Sequence, residues 1–222
     1  MNRFIELVHW AVSRVVDAIN PPEPTLTIRY LTKQELMTIV RIKAIQTKIG
    51  VEPDGFWGPK SIAACQTYLR SLTPAESNWP SQSQAALQGF YGSPGDESKL
   101  VSMNVEGLGL RYDDKPVKSI RCHDKVADSL KRILTELSVT NPEILTQYAG
   151  VYNNRSMRSS FTPSLHARGA AIDLAPNTNT NSQHWPQSAT MPFSVMEAFA
   201  REGWLSAGAF WGRDAMHFQA TK

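Results

Sequence analysis

Two stretches of this sequence are best supplied for chemistry. They are Ser164-Leu165-His166-Ala167-Arg168-Gly169-Ala170-Ala171-Ile172-Asp173 and, further downstream, Asp214-Ala215-Met216-His217-Phe218. Together they offer two imidazoles and a carboxylate, with a second carboxylate three residues before the last imidazole. A catalytic zinc site needs three nitrogen or oxygen ligands, an open position for water and a base beside it. Asp173 stands among Ala170, Ala171, Ile172 and Leu174, where a carboxylate is costly unless it is paired, hydrogen-bonded or metal-bound. His217 lies between Met216 and Phe218, and strand alternation sets it on the face opposite both. Each histidine taken alone is more often a hydrogen-bonded core residue than a ligand. As a set, the residues fit one metal site and imply a metal-dependent hydrolase.

The elements that must hold these groups are short and mixed. Val117–Ile120, Tyr148–Tyr152, Ala170–Leu174 and Met216–Ala220 read as strands. Val126, Leu130, Ile133, Leu134 and Leu137 mark an amphipathic helix, and Pro192 opens another through Val195, Met196 and Phe199, closed by Gly203. Asn177 to His184 is polar loop. Without regular alternation of strand and helix, the expected class is α+β. Upstream, Thr32-Lys33-Gln34-Glu35 reads as a capping box. It opens a helix with Leu36, Ile39, Val40, Ala44 and Ile45 on its apolar face, ended by Gly50. A turn at Pro53-Asp54-Gly55 leads to a second helix that starts at Pro59 and continues through Ile62, Gln66 and Leu69. Residues 72–98 are rich in Pro, Ser, Gln and Gly, but Trp79, Phe90 and Tyr91 favour a lead-in to the next domain over a flexible linker.

Composition narrows the class. The 222 residues allow one large or two small domains, and 41% hydrophobic with 19% charged residues is ordinary for a globular protein. A net charge of +3 without clustering argues against nucleic acid as a partner and suits an anionic polymer. Cys65 and Cys122 form no CxxC and are expected as buried, unpaired thiols. Residues 4–19 carry apolar side chains at helical spacing, interrupted by Glu6, His9, Arg14 and Asp17. That run is too charged to span a bilayer and lacks the core and cleavage site of a signal peptide. A surface helix is favoured there over membrane contact. Asn20-Pro21-Pro22-Glu23-Pro24 separates it from the rest of the chain. The expected organisation is a leader and linker at 1–28, a helical unit at 29–74 and the metal domain at 75–222.

The helical unit resembles the peptidoglycan-binding domain of cell-wall hydrolases. The likeness rests on Ile45 to Val51, on Asp54-Gly55-Phe56-Trp57-Gly58-Pro59-Lys60-Ser61, and on Ala63-Ala64 and Tyr68. Ser61 stands for the commoner threonine, and Tyr68-Leu69 for the usual Phe-Gln. The resemblance implies an aromatic face for glycan or stem peptide, although at least one of Phe56 and Trp57 is expected in the core. The downstream stretches resemble the zinc D-alanyl-D-alanine peptidase family, related in fold to the Hedgehog signalling domain. Its pattern S-x-H-x-x-G-x-A-x-D followed by [ED]-x-x-H matches Ser164, His166, Gly169, Ala171, Asp173, Asp214 and His217.

That resemblance implies that His166, Asp173 and His217 hold zinc and that Asp214 is the general base. An arginine just upstream of the S-x-H motif is expected to touch the scissile carbonyl or a substrate carboxylate. Arg155 and Arg158 both qualify, and Arg155 is preferred. Ser164 either hydrogen-bonds substrate or holds the turn, and His9, His123 and His184 are given no role. Aspartate rather than glutamate at the base position is similar to phage L-alanyl-D-glutamate endopeptidases. The implied protein is a monomeric phage endolysin with peptidoglycan as its partner, held in the host cytoplasm and acting at the wall after lysis. The alternatives are a D,D-carboxypeptidase or endopeptidase with the same zinc site, a secreted bacterial wall-degrading toxin, and a non-catalytic wall-binding protein.

Overall fold

The computed structural model describes residues 31–158 and 160–222; the leader and linker at 1–28 lie outside the described residues. Residues Glu35–Lys222 form one compact unit. Among the described residues no helix is long and apolar enough to cross a membrane.

Helix α1 (Lys33–Lys48) and helix α2 (Pro59–Leu72) flank the expected turn. Gln46 explains how the turn is held. It is buried, its amide donates to Asp54 Oδ1 (2.7 Å), the Phe56 carbonyl (3.0 Å) and Ser61 Oγ (3.0 Å), and its oxygen accepts from Gly55 N (2.8 Å). One side chain thus satisfies several turn groups that have left the helical ladder. Gly55 sits at φ +83°, and a Cβ there would lie 2.8 Å from Ile39 Cγ2. The apolar face of α1 differs from expectation. Ile42 and Ile45 are buried, whereas Leu36, Met37 and Val40 are exposed. Two apolar stripes compete on this helix at compatible spacing, and tertiary packing selects the isoleucine stripe. In α2, Cys65 and Leu69 are buried while Ile62 is at the surface. Trp57 is core, edge-on to Trp185 at 5.3 Å, and Phe56 is 69% exposed.

The lead-in is more ordered than its composition suggests. It contains α3 (Gln84–Tyr91), whose first turn is capped by Ser83 Oγ accepting from Ala86 N. Its aromatics tie it down: Trp79 Nε1 donates to the Glu202 carbonyl (2.8 Å) and Tyr91 OH to the Ala220 carbonyl (2.6 Å).

Strand β1 (Leu100–Asn104) pairs antiparallel with β4 (Ser119–His123), and between them β2 (Arg111–Tyr112) and β3 (Lys115–Pro116) form a small hairpin. Helix α4 (Asp124–Thr140) buries Val126, Leu130, Ile133, Leu134 and Leu137, the face its spacing predicts, and α5 (Pro142–Leu145) follows. The central sheet has the order β5-β6-β8-β7, all antiparallel. Its strands are β5 (Tyr148–Gly150), β6 (Ala171–Leu174), β7 (Leu205–Ser206) and β8 (His217–Gln219). Helix α6 (Phe193–Arg201) covers one face, stacking Phe199 on Phe218 at 3.9 Å between centroids. Helix α7 (Ala207–Trp211) connects β7 to the turn before β8. The class is α+β, with a helical N-terminal region and a small antiparallel sheet downstream.

Candidate metal centre

Strands β6 and β8 are paired so that Asp173 lies directly opposite His217. Side chains alternate along a strand, so Phe218 turns into the core and His217 to the opposite face. Met216 precedes the strand and lines the same cleft as His217. His166 arrives from a different element, the 3-10 turn Leu165–Arg168. Ser164 Oγ accepts from His166 N (3.3 Å) to start that turn, and Gly169 ends it at φ +66°. A Cβ on Gly169 would stand 2.7 Å from Leu100 Cδ2 and 2.9 Å from His123 N, so glycine is required by both conformation and space.

These elements bring three ligand atoms together. His166 Nε2 is 3.1 Å from His217 Nδ1 and 3.2 Å from Asp173 Oδ1, and His217 Nδ1 is 3.0 Å from the same oxygen. The other ring nitrogens are spoken for. His166 Nδ1 donates to the Val151 carbonyl (2.7 Å) and His217 Nε2 to Gln219 Oε1 (3.1 Å). Gln219 in turn donates to Thr221 Oγ1 (2.7 Å). With those protons so placed, the three convergent atoms are all electron-pair donors, an arrangement that repels itself unless a cation lies between them. The residues therefore fit a divalent metal, and outer partners of this kind fix tautomer and ring orientation in metal sites. Burial alone would raise the Asp173 carboxyl, but with no cation between the groups protonated His166 and His217 hydrogen-bond to it, outweigh the burial and hold it well below the usual carboxylate range. For His217, burial opposes protonation, yet Asp173 outweighs it and lifts the imidazole above its ordinary value. Both shifts say that this pocket favours positive charge at its centre.

Asp214 borders the same site. It takes φ 56°, a left-handed conformation uncommon for a non-glycine residue, and lines a cleft of about 410 Å³ with Asp173, His217 and Trp211. Its Oδ1 is buried and has no hydrogen-bond partner among the described residues. Burial pushes its carboxyl above the ordinary range; the charge of Asp173 adds to this, while His217 and Arg158 oppose it. A strained, unpartnered carboxylate of raised pKa at the edge of a cleft is suited to exchanging a proton.

Residues 158–220 match the D-alanyl-D-alanine carboxypeptidase family. The matched stretch holds His166, Asp173, Asp214 and His217, so the part of the chain that is similar to this family contains the His-Asp-His metal-site candidate. No curated protein and no solved structure matches the chain.

The remaining expected residues fall around this site. Arg155 is exposed, bonds only loosely to the Ser156 carbonyl (3.3 Å), and lines both the Asp214 cleft and a second cleft of about 460 Å³ on the other side of Asp173. Arg158 lines the Asp214 cleft alone. Ser164 also lines it, although its hydroxyl already caps the His166 turn. His123 is buried and bonded to the Tyr91 carbonyl and Lys125 N, and His184 is exposed, bridged to Arg213. Cys65 and Cys122 are buried and unpaired. Sequence reasoning missed Gln219, though a polar residue two positions beyond His217 must share its face of the strand. Trp211, stacked on His217 at 6.0 Å, was also missed. The Val151 carbonyl has no side-chain signal to find.

Proposed function

We propose that this protein hydrolyses a peptide bond of the peptidoglycan stem, most readily the L-Ala–D-Glu bond. The observation that carries this reading is the convergence of His166, Asp173 and His217 beside the unpartnered carboxylate of Asp214. His166, Asp173 and His217 would hold zinc, which when bound would supply a Lewis acid and lower the pKa of a bound water. Asp214 accepts the proton from the attacking water and returns it to the leaving amine. Arg155, free to turn into either cleft, offers its guanidinium to the oxygen that becomes negative. Ser164 and the Val151 and Gln219 partners keep the two imidazoles aimed.

Cleavage within a chain needs room on both sides of the broken bond. Two clefts meet at Asp173 and Arg155, one towards Trp211 and one towards Tyr148, which favours an endopeptidase over an enzyme whose site closes on a chain end. The second reading is a D,D-carboxypeptidase, because the matched family carries that description. The wider proposal is a monomeric endolysin of phage type, released from the host cytoplasm to the wall, with residues 29–74 holding it there. The resemblance of Ile45–Tyr68 to wall-binding domains and the exposed Phe56 ring support that part. Binding of this sort raises local substrate concentration without adding chemistry.

The test is digestion of purified peptidoglycan with chelator and with zinc add-back, the fragments being weighed by mass spectrometry. Zinc-dependent release of peptides beginning at D-glutamate is expected. Loss of terminal D-alanine would move the assignment to the carboxypeptidase, and binding without cleavage would leave a non-catalytic wall protein.

A further inference from the structure

The cleft on the Tyr148 side does not end at the metal centre. It is lined by Tyr112, Arg121, Tyr148, Tyr152, Arg155 and Asp173, and it shares Tyr112, Tyr148 and Ala149 with a further cleft of about 480 Å³ that reaches Arg111, Asp113 and Asn177. A single groove thus runs from the ligand strand out to the β2–β3 hairpin. Tyr112 is its most prominent side chain, 56% exposed and edge-on to Tyr148 at 6.4 Å.

Tyr112 is held rigidly for an exposed residue. The hairpin turns through Asp113 and Asp114 at φ 49° and 58°, the two positive angles of the tight turn that matches strand twist, and Arg111 bonds back to the Asp114 carbonyl. Tyr148 is opposite Leu174 in the sheet, one residue from Asp173. The ledge is therefore coupled mechanically to the strand that carries a metal ligand. The neighbouring aromatic is already engaged: Arg121 lies 5.4 Å over the Tyr152 ring while ion-paired to Glu97 at 2.7 Å. Tyr112 meets Tyr148 but leaves more than half of its surface open, rimmed by Arg111, Asp113 and Asn177. An aromatic face for C–H groups, ringed by donors and acceptors, is what a pyranose needs, since a sugar is apolar on its faces and polar at its edge.

We infer that this groove is a subsite for the N-acetylmuramyl sugar to which the stem peptide is joined, with Tyr112 as its stacking platform. The inference rests on the peptidoglycan reading. The stem then runs with its N-terminal side towards Tyr112 and its C-terminal side towards Trp211. One residue separates the sugar's lactyl group from the L-Ala–D-Glu bond, a span of roughly 3.5 Å, whereas a D-Ala–D-Ala bond would set the sugar about 14 Å off in an extended stem.

The experiment compares two substrates with the zinc-loaded full chain: a disaccharide-linked stem peptide, and the same peptide capped by an acetyl group instead of sugar. Wild type is expected to favour the glycosylated substrate about tenfold in kcat/KM, mainly through KM, the size of one good aromatic contact. Tyr112→Ala should lower kcat/KM on the glycosylated substrate about tenfold more than on the capped peptide, with Tyr112→Trp restoring the preference. No preference in wild type, or equal losses on both substrates, overturns the subsite. In parallel, N-acetylglucosaminyl–N-acetylmuramic acid alone is titrated into the full chain by NMR. It should shift the Tyr112 ring resonances in wild type and bind more weakly to Tyr112→Ala; absence of binding overturns the inference. Sugar binding at Tyr112 in a chain that cleaves no peptidoglycan would instead reject the hydrolase and leave the sugar site standing.

Discussion

His166 gives its Nδ1 proton to the Val151 carbonyl and His217 gives its Nε2 proton to Gln219, so the nitrogens that face each other at 3.1 Å both present lone pairs. Tautomer choice at this site is thus set by groups that never touch a metal. Gln219→Leu removes one of them while keeping the volume close. It is expected to weaken zinc binding by about 10- to 100-fold, read by competition with a chromophoric chelator. Unaltered affinity would mean that Asp173 alone orients His217. Asp214 makes the opposite prediction, because its carboxylate is adjacent to the site without being one of the three convergent groups. Asp214→Asn should keep zinc at full stoichiometry and lose roughly 10²- to 10⁴-fold in kcat, the usual worth of a positioned general base. Loss of zinc together with activity would make Asp214 a ligand instead. The thiols belong at this scale too. Burial pushes both Cys65 and Cys122 up to about 12, with Glu197 adding at Cys65 and Asp124 at Cys122. Native protein at pH 8 should therefore resist alkylation, and both thiols should react once guanidinium exposes them.

At the scale of elements, the site depends on a register and a tight approach. Pairing Asp173 with His217 across β6 and β8 sets two ligands side by side, and a slip of one residue would send one of them into the core. Gly169 makes the third ligand possible by letting the His166 turn close against β4. Gly169→Ala combines a left-handed alanine with overlap against Leu100 and the His123 backbone. A cost of roughly 2–4 kcal/mol is expected, lowering Tm by some 4–16 °C in a scanning experiment. An unshifted Tm would show that the β4 ribbon gives way freely. Much of this level was legible in the sequence. Tyr148, Ala170–Leu174 and Met216–Ala220 alternate or run apolar between clear breakers, so β5, β6 and β8 could be placed, as could α4 from its leucine and isoleucine spacing. The short elements were not: β7 and the β2–β3 hairpin have two residues per strand, too few for a period to register. Helix α3 hid behind Ser, Gln and Gly, because its stability comes from Tyr91 and Leu87 docking on the body rather than from its own pattern.

The whole molecule raises the question of how the helical pair and the sheet that carries the candidate site depend on each other. Ile42, Ile45, Trp57, Cys65 and Leu69 belong to the same buried cluster as the sheet residues Ile172 and Phe218. Polar links cross the same seam. Lys48 and Tyr68 both reach the buried Glu197 of α6 at 2.7 Å, and Gln66 donates to the Ala209 and Phe210 carbonyls at 3.3 and 3.4 Å. Those last contacts fall on α7, the helix that leads through Trp211 to Asp214. A side chain of α2 therefore helps to hold the segment bearing the proposed base. Such a seam is expected to make residues 35–222 unfold together, with one calorimetric transition whose enthalpy equals the van't Hoff value. Trp57→Ala is the sharper test, since it removes a buried ring that meets Trp185 edge-on. It should cost about 3–5 kcal/mol and lower the single transition rather than split it. Zinc should raise that transition as a whole, because a ligand that binds only the native state stabilises everything that unfolds with its site. Two resolved transitions, with zinc moving only the later one, would instead make the helical pair an autonomous wall-binding module whose contacts with α6 and α7 contribute little to the stability of either part.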